Sequence, residues 1–343
     1  MATDRPSVAD KRRRFRQLHE SGCFMVPNPW DVGSARWLQG LGFAALASTS
    51  SGFAWSQGQA DNRTSRQQVL DHLQDLVAAT DVPVNADFEN GFGGDAAAVA
   101  DSVRLAVATG VAGLSIEDST GDAAAPLFAL DVAVTRLRAA RAVIDAAGGE
   151  VLLVGRAENF LVGQPDLDAT IARLQAYAAA GADVLYAPGI GTPEQIRAVV
   201  AAVAPKPVNL LVGSASPLTL ADIAALGVRR VSVGGALARS AWAGFQRAAQ
   251  SLADGRFDVP LAGFLQGSID AVLRVPDPVC GHRFLVVDYK TNRLTRPGAD
   301  ATLADYHPDA LPAAMCHSNY VLQALHYNVA LHRYLRWRLP GYD

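Results

Sequence analysis

Asn85-Ala86-Asp87-Phe88-Glu89-Asn90-Gly91-Phe92-Gly93 follows an apolar run of β type, Val82-Pro83-Val84. The stretch reads as the end of a buried strand passing into a glycine loop. Asp87 and Glu89 are two residues apart, which on a strand puts both carboxylates on one face. Two like charges in an apolar setting are costly unless something neutralises them. A hard divalent cation does so, and oxygen ligands suit Mg²⁺. A solvated acidic pair at a strand end is the plainer alternative for an isolated D-x-E.

The flanking chain repeats one grammar from Cys23 to about Ser251: strand, loop, helix. Strands are expected at Cys23–Val26, Ala44–Ala47, Val82–Glu89, Gly113–Glu117, Val151–Gly155, Val184–Tyr186, Val208–Val212 and Val228–Val233. Ala-rich helical stretches separate them, among them Arg66–Ala78, Ala96–Ala108, Val132–Ala147, Leu167–Ala180, Pro193–Ala204 and Leu237–Leu252. Gly110, Gly148, Gly181 and Gly227 stand where these helices end, as helix-terminating glycines do. Eight such units over roughly 230 residues fit an α/β chain closed into a (β/α)₈ TIM-type barrel. A doubly wound open sheet is the runner-up, but it calls for a glycine fingerprint after the first strand, and Pro27-Asn28-Pro29-Trp30 offers none.

A barrel places its chemistry at the C-terminal ends of its strands. Those ends carry Asn28 and Asp31, Ser48-Thr49-Ser50-Ser51, Asp87 and Glu89, Glu117-Asp118, Arg156 and Glu158, Asn209, and Gly234-Gly235. Acids at three strand ends with one arginine suit a metal and a clamp for an anionic substrate. A structural ion pair between Arg156 and Glu158 is the alternative for that part of the set.

The chain has 343 residues, 50% hydrophobic and 18% charged, enough for a substantial core. A net charge of −3 supplies no global field for nucleic acid. The 3 cysteines, Cys23, Cys280 and Cys316, are scattered and suggest neither a disulfide framework nor a zinc site. No run reaches the ~18 apolar residues of a membrane span, and no apolar segment follows the charged N-terminus as a signal peptide requires. The cytoplasm is the expected location. Lys11-Arg12-Arg13-Arg14-Phe15-Arg16 reads as the solvated face of a leading helix rather than a nucleic-acid contact.

These segments resemble the isocitrate lyase/phosphoenolpyruvate mutase superfamily, in its carboxyphosphonoenolpyruvate mutase-like branch. The likeness rests on Pro27-Asn28-Pro29-Trp30-Asp31-Val32-Gly33-Ser34-Ala35-Arg36, Ala86 to Gly93, Ser115-Ile116-Glu117-Asp118, Gly155-Arg156-Ala157-Glu158, Ala179 to Asp183 and Val231-Ser232-Val233-Gly234-Gly235. It runs from about Arg13 to Leu252 and places a first domain at residues 1–253. It implies a lyase or mutase acting on a C–C or P–C bond of a small 2-oxo or carboxylic acid through an enolate, with Mg²⁺ or Mn²⁺. By the likeness Asp87, Glu89 and Glu117 hold the metal, directly or through water. Arg156 binds a substrate carboxylate, the amides of Thr49, Ser50 and Ser51 cradle another oxygen, Asn209 adds to the substrate site, and Asp61 stands near the reacting group. Homo-oligomers formed through the helix after the eighth strand, about Leu237–Leu252, are also implied. One departure matters. Isocitrate and methylisocitrate lyases carry a Lys-[Lys/Arg]-Cys-Gly-His loop after the fourth strand, and here that place reads Asp118-Ser119-Thr120-Gly121-Asp122-Ala123-Ala124-Ala125-Pro126. It has no thiol acid/base, so those two activities are not expected.

Past a linker at 254–262 the grammar changes. Strands are expected at Leu265–Leu273 and Arg283–Asn292, with a turn from Pro276 to His282, and a helix from about Asn319 to Arg338. Gly267-Ser268-Ile269-Asp270, Val287-Asp288-Tyr289-Lys290-Thr291-Asn292 and Tyr320 to Arg336 resemble the nuclease domain of the exodeoxyribonuclease V beta subunit, the RecB type. Residues 263–343 would then be a partial restriction-endonuclease-like domain. The resemblance implies a metal site of Asp270, Asp288 and Lys290, with Gln323 and Tyr327 beside it, and DNA as a partner if the tail functions. Without it, Asp288 and Lys290 are equally a surface pair on an edge strand. A fusion and a joined reading of two genes both produce such a chain, and a catalytically silent barrel scaffold is the third reading of the whole.

Overall fold

The computed structural model describes residues 5–256, 269–278, 281–288, 307, 320–339 and 342. The chain divides into two compact units, Met1–Phe257 and Asp258–Asp343.

The first unit is a parallel barrel. Its strands are β1 (Phe24–Val26), β2 (Leu46–Ala47), β3 (Val84–Asp87), β4 (Gly113–Glu117), β5 (Leu152–Arg156), β6 (Val184–Tyr186), β7 (Val208–Leu211) and β8 (Arg230–Ser232). They pair in sequence from β2 round to β8, and β8 pairs with β1. A hydrogen bond from Ala47 N to Pro27 O (3.1 Å) ties β1 to β2 and nearly closes the ring. The helices are α1 (Val8–Leu18), α2 (Val32–Gly40), α3 (Ser50–Ser56), α4 (Arg66–Ala79), α5 (Ala96–Ala108), α6 (Leu130–Ala146), α7 (Leu167–Ala179), α8 (Pro193–Val203), α9 (Leu220–Ala225) and α10 (Ala236–Ala253).

Local chemistry explains the boundaries. Ser65, Asp95, Asp166 and Thr192 each accept a backbone N–H from the first turn of α4, α5, α7 and α8, and Pro193 opens α8 where its missing N–H costs nothing. The helices bury aliphatic stripes against the outside of the sheet, for example Val99, Val103 and Ala106 of α5 and Leu137, Ala140 and Ile144 of α6. Inside the barrel, Phe15 of α1 packs with Val26, Ala45, Ala47, Ala112 and Leu152 and closes its N-terminal foot. Lys11 adds a latch: its buried Nζ donates to Val77 O (2.9 Å) and to Thr80 O.

One expectation about the deciding stretch is corrected. β3 ends at Asp87, and Glu89 lies beyond it with φ of 48°. Asp87 and Glu89 therefore do not share one strand face by alternation. The chain turns sharply here, with Gly91 and Phe92 also at positive φ (81° and 51°), and Arg136 of α6 donates to the carbonyls of Asn90 and Gly93 to hold the loop. Two non-glycine residues in the left-handed region mark a backbone held by its surroundings.

In the second unit, β9 (Ala271–Asp277) and β10 (Gly281–Val287) form an antiparallel hairpin, and α11 spans Tyr320–Arg338. β9 thus runs past the expected strand end at Leu273, while 265–268 lie outside the described residues, and Pro276, expected in the turn, pairs with His282 inside the ladder. A two-stranded hairpin consists of edges, which tolerate a proline. The phenyl ring of Phe284 on β10 and the imidazole of His332 on α11 both lie against Tyr342 (6.0 and 5.6 Å between centroids). Lys290 and most of the linker lie outside the described residues.

Candidate active site

Arg156 closes β5 and is the centre of the barrel mouth. Its Nη1 lies 3.1 Å from Asp87 Oδ1 and 3.1 Å from Glu117 Oε2, and its Nε donates to Glu158. The guanidinium also sits over the Tyr186 ring, 5.2 Å from its centroid. Register explains the gathering: Glu117 pairs with Arg156 across β4 and β5, and Arg156 pairs with Tyr186 across β5 and β6. The other oxygen of Asp87 accepts the Ser50 N–H (3.0 Å), and the Asp87 N–H donates to Ser48 Oγ (2.8 Å). The Ser50 amide, expected to cradle a substrate oxygen, is therefore engaged by Asp87. Glu89 is buried and accepts from Thr64 Oγ1 (3.3 Å). Asp61 stands exposed at the rim of the same cavity.

Asp118 turns away from this group. It accepts Glu158 N–H (2.8 Å), Arg173 Nη1 (3.0 Å) and the Tyr177 hydroxyl, and so anchors the backbone that carries Glu158. Asn209 lies deep in β7, where its amide donates to Ser232 Oγ (3.0 Å) and accepts Arg230 Nε (2.7 Å). Asn28 braces the rim by accepting the N–H groups of Val233 and Gly234 (both 2.9 Å). Thr49, Ser50, Ser51, Asp61, Asp87, Arg156 and Asn209 all line one cavity of about 270 Å³. Glu89 and Glu117 sit behind its wall.

Charge in this group is unbalanced. Burial works against the charge of Arg156, yet Glu117, Glu158 and Asp87 hold its pKa above the usual arginine range. One guanidinium does not neutralise four carboxylates. Burial raises Glu117 well above the carboxylate range against the pull of Arg156. Burial, then the charges of Asp87 and Asp61, pushes Glu89 up to about 7. Partial enclosure at the cavity rim, then the Asp87 charge, also raises Asp61. An excess of buried oxygen acids over base fits a hard divalent cation. Among the described residues, no three acidic, His or Cys side chains close on a common point as a direct metal cage. The donor set thus fits an ion held by one or two carboxylates and otherwise by water, the habit of Mg²⁺.

Residues 15–253 match the phosphoenolpyruvate phosphomutase family. The chain belongs to that family. Over 74% of its length, and 94% of the other chain, it superimposes on a candidate lyase/mutase from Burkholderia cenocepacia J2315, with a TM-score of 0.71 and 51% identity. An oxaloacetate acetylhydrolase bound to oxalate superimposes over 74% of this chain and 90% of its own, with a TM-score of 0.67 and 28% identity. An oxaloacetate decarboxylase from Paraburkholderia xenovorans LB400 is 30% identical over 64% of this chain and 74% of its own length. The relatives of this family member are lyases and mutases, and the chain is an enzyme of that class. The tail has separate kin: RecB of Mycolicibacterium smegmatis is 56% identical over 84 residues, 24% of this chain. The chain spans only 7% of the length of that subunit. Among the described residues, no helix is long and apolar enough to cross a membrane.

The tail residues are partly placed. Continuing the hairpin register one step past Ala271 and Val287 sets Asp270 opposite Asp288, and Gln323 Nε2 donates to Tyr327 Oη (2.7 Å) on α11. Reading the sequence missed Asn85, Tyr186, Ser232 and Arg230, which line the cavity below Arg156. The available signal was the pair Arg229-Arg230 inside the expected strand Val228–Val233.

Proposed function

We infer that the barrel is a divalent-metal-dependent lyase or mutase that acts on a C–C or P–C bond beside the carboxylate of a small 2-oxo acid, by way of an enolate. The observation that carries this reading is Arg156, a buried guanidinium facing a cavity and ringed by Asp87, Glu117 and Glu158. Asp87, with Glu89 and Glu117 behind it, would hold Mg²⁺, or Mn²⁺ in its place, and the ion would supply positive charge where the enolate develops. Arg156 binds and orients the carboxylate next to the reacting carbon. Glu158 and the Tyr186 ring keep the guanidinium in place, and Asp118 fixes Glu158 in turn. Asp61, its pKa raised from the usual aspartate value, is placed to hand a proton to the enolate carbon or to take one from an attacking water. Thr49, Ser51 and Asn209 add neutral polar groups around the substrate. The similarity to oxaloacetate-cleaving enzymes favours oxaloacetate among the substrates.

The test is a product screen over oxaloacetate, phosphonopyruvate and 2-methylisocitrate, with and without Mg²⁺. Turnover of a 2-oxo acid that requires the metal and disappears in Asp87→Ala supports the reading. Turnover whose metal dependence survives Asp87→Ala removes Asp87 from the metal site. Silence on all three substrates removes the lyase assignment.

We also propose a homo-oligomer assembled through α10. Trp242, Phe245 and Leu252 are exposed on this helix, and only Ala238 and Ser251 are buried. Light scattering that shows monomer alone at micromolar concentration overturns it. For the tail, the facing of Asp270 and Asp288 supports a second reading as a metal-dependent nuclease, which incubation with DNA tests directly.

A further inference from the structure

Arg230 opens β8, and its guanidinium lies inside the barrel with the residue 2% exposed. Nε donates to Asn209 Oδ1 (2.7 Å) and Nη1 to Asn85 Oδ1 (3.2 Å). Both partners are neutral amides. No carboxylate among the described residues pairs with Arg230; beyond the two amides its guanidinium carbon lies 6.0 Å from the Phe15 ring centroid. A desolvated cation without a counter-charge is expensive.

Arg136 shows what a purely structural buried arginine looks like here. It is equally hidden, but it donates to the carbonyls of Asn90 and Gly93, stacks on Phe128 at 4.1 Å, and borders a void of about 10 Å³. That void is barely the size of one water. Arg230 instead borders the cavity of about 270 Å³, together with Asn85, Ser115, Tyr186, Asn209 and Ser232. Gly113, behind the floor, lets Asn85 and Phe15 pack directly on its backbone. A Cβ on Gly113 would stand 2.7 Å from Asn85 Oδ1 and 2.8 Å from Phe15.

Arg156, Tyr186, Asn209 and Arg230 are successive register partners across β5 to β8. With strands ~4.8 Å apart and a tilt of ~36°, each step moves about 3 Å along the barrel axis, so Arg230 lies about 8 Å below Arg156. One cavity thus has a cation at its mouth and an uncompensated cation at its floor, spaced for a short chain with an anion at each end.

We propose that the floor of the cavity is a second anion subsite, in which Arg230 and the hydroxyls of Tyr186 and Ser232 receive the far carboxylate of a small dicarboxylate whose near carboxylate meets Arg156. Burial keeps Tyr186 protonated at physiological pH, with its pKa pushed up to about 12, so it serves as a donor. This deepens the lyase reading and rests on it for the identity of the near end. Ligand binding itself can be measured without turnover.

Calorimetry on the full chain with succinate and butyrate isolates the effect, since the two differ by one carboxylate at equal chain length. Succinate should bind at least about tenfold more tightly, the scale of a charge-assisted contact in a buried site. Arg230→Met should erase that preference while leaving butyrate within about threefold. Asn209→Asp guards against misfolding, because it gives the guanidinium an internal carboxylate. It should keep or raise the melting temperature and lose the succinate preference. Equal affinity for succinate and butyrate in the wild-type protein, or an unchanged preference in Asn209→Asp, overturns the subsite. Selective succinate binding without turnover of any 2-oxo acid sinks the lyase reading and keeps the subsite. Turnover together with an unchanged preference in Asn209→Asp does the reverse.

Discussion

Glu117 and Arg156 are register partners on neighbouring strands, and their side chains meet at 3.1 Å at the mouth of the barrel. Removing Arg156 leaves Glu117 and Glu158 buried without their counter-charge, which typically costs about 3–5 kcal/mol. Arg156→Met should therefore destabilise the fold and also lose activity. Arg156→Lys keeps the charge but not the fork that reaches Asp87, Glu117 and Glu158 together. We expect it to fold and to lose about 10²–10³-fold in kcat/KM, the scale of removing one preorganised contact to developing charge. Wild-type kcat/KM in Arg156→Lys would show that the arginine is a structural tie only.

The loop after β4 is a small closed turn. Ser119 bridges to Leu127, and Thr120 binds Ala125 O through its hydroxyl (2.6 Å) and Pro126 O through its N–H (3.0 Å). It contains no Cys, His or Lys. General acid–base help is worth ~10²–10⁴-fold, so cleavage of isocitrate or 2-methylisocitrate should be weak at best. A glyoxylate or pyruvate assay comparing these with oxaloacetate checks it, and robust glyoxylate release from isocitrate contradicts it.

His72 stacks on Phe53 at 4.0 Å with its Nε2 buried and unbonded among the described residues. Burial lowers its pKa to about 4. The unfolded chain binds a proton near pH 6.5 and the folded chain does not. Stability from this group is therefore complete above pH 6.5 and drains away as the pH falls toward 4. His72→Phe should flatten that part of the urea-denaturation profile. The same slope in both proteins would assign the acid sensitivity elsewhere.

The tail is expected not to degrade DNA. Asp270 and Asp288 supply acids to the tail, but the residues from Leu252 to Phe264 contain no histidine, unlike the resembling nucleases, and Arg293 and Arg296 are the only basic residues shortly after Lys290. Non-specific DNA binding needs several phosphate contacts. Linear duplex and single-stranded DNA in Mg²⁺ or Mn²⁺ should stay intact. Degradation that vanishes in Lys290→Ala makes the tail a working nuclease.

The legible parts of this sequence were those with local causes. Ala96–Ala108 is found at the expected bounds because Asp95 caps it and Thr109-Gly110 ends it, and Gly113–Glu117 and Val184–Tyr186 are continuous buried runs. Glu89 lies outside the strand in a left-handed turn whose following loop is held by Arg136, a contact that local sequence does not reveal. Arg230 escaped notice for a similar reason. Its meaning depends on Asn85 and Asn209, brought to it only by the closing of the barrel. The turn of the tail hairpin was read too wide because Pro276 and His282 belong to the ladder, where an edge strand tolerates the proline.

Phe15 seals and Lys11 latches the foot of the barrel, so among the described residues the cavity opens toward the strand ends. An enzyme that splits one molecule into two must then empty its chamber in order. The fragment nearest the rim departs first, and the fragment at the floor waits behind it. Its exit sets the pace whenever bond breaking is fast, and the last fragment to leave is the one that competes with the next molecule for an empty chamber.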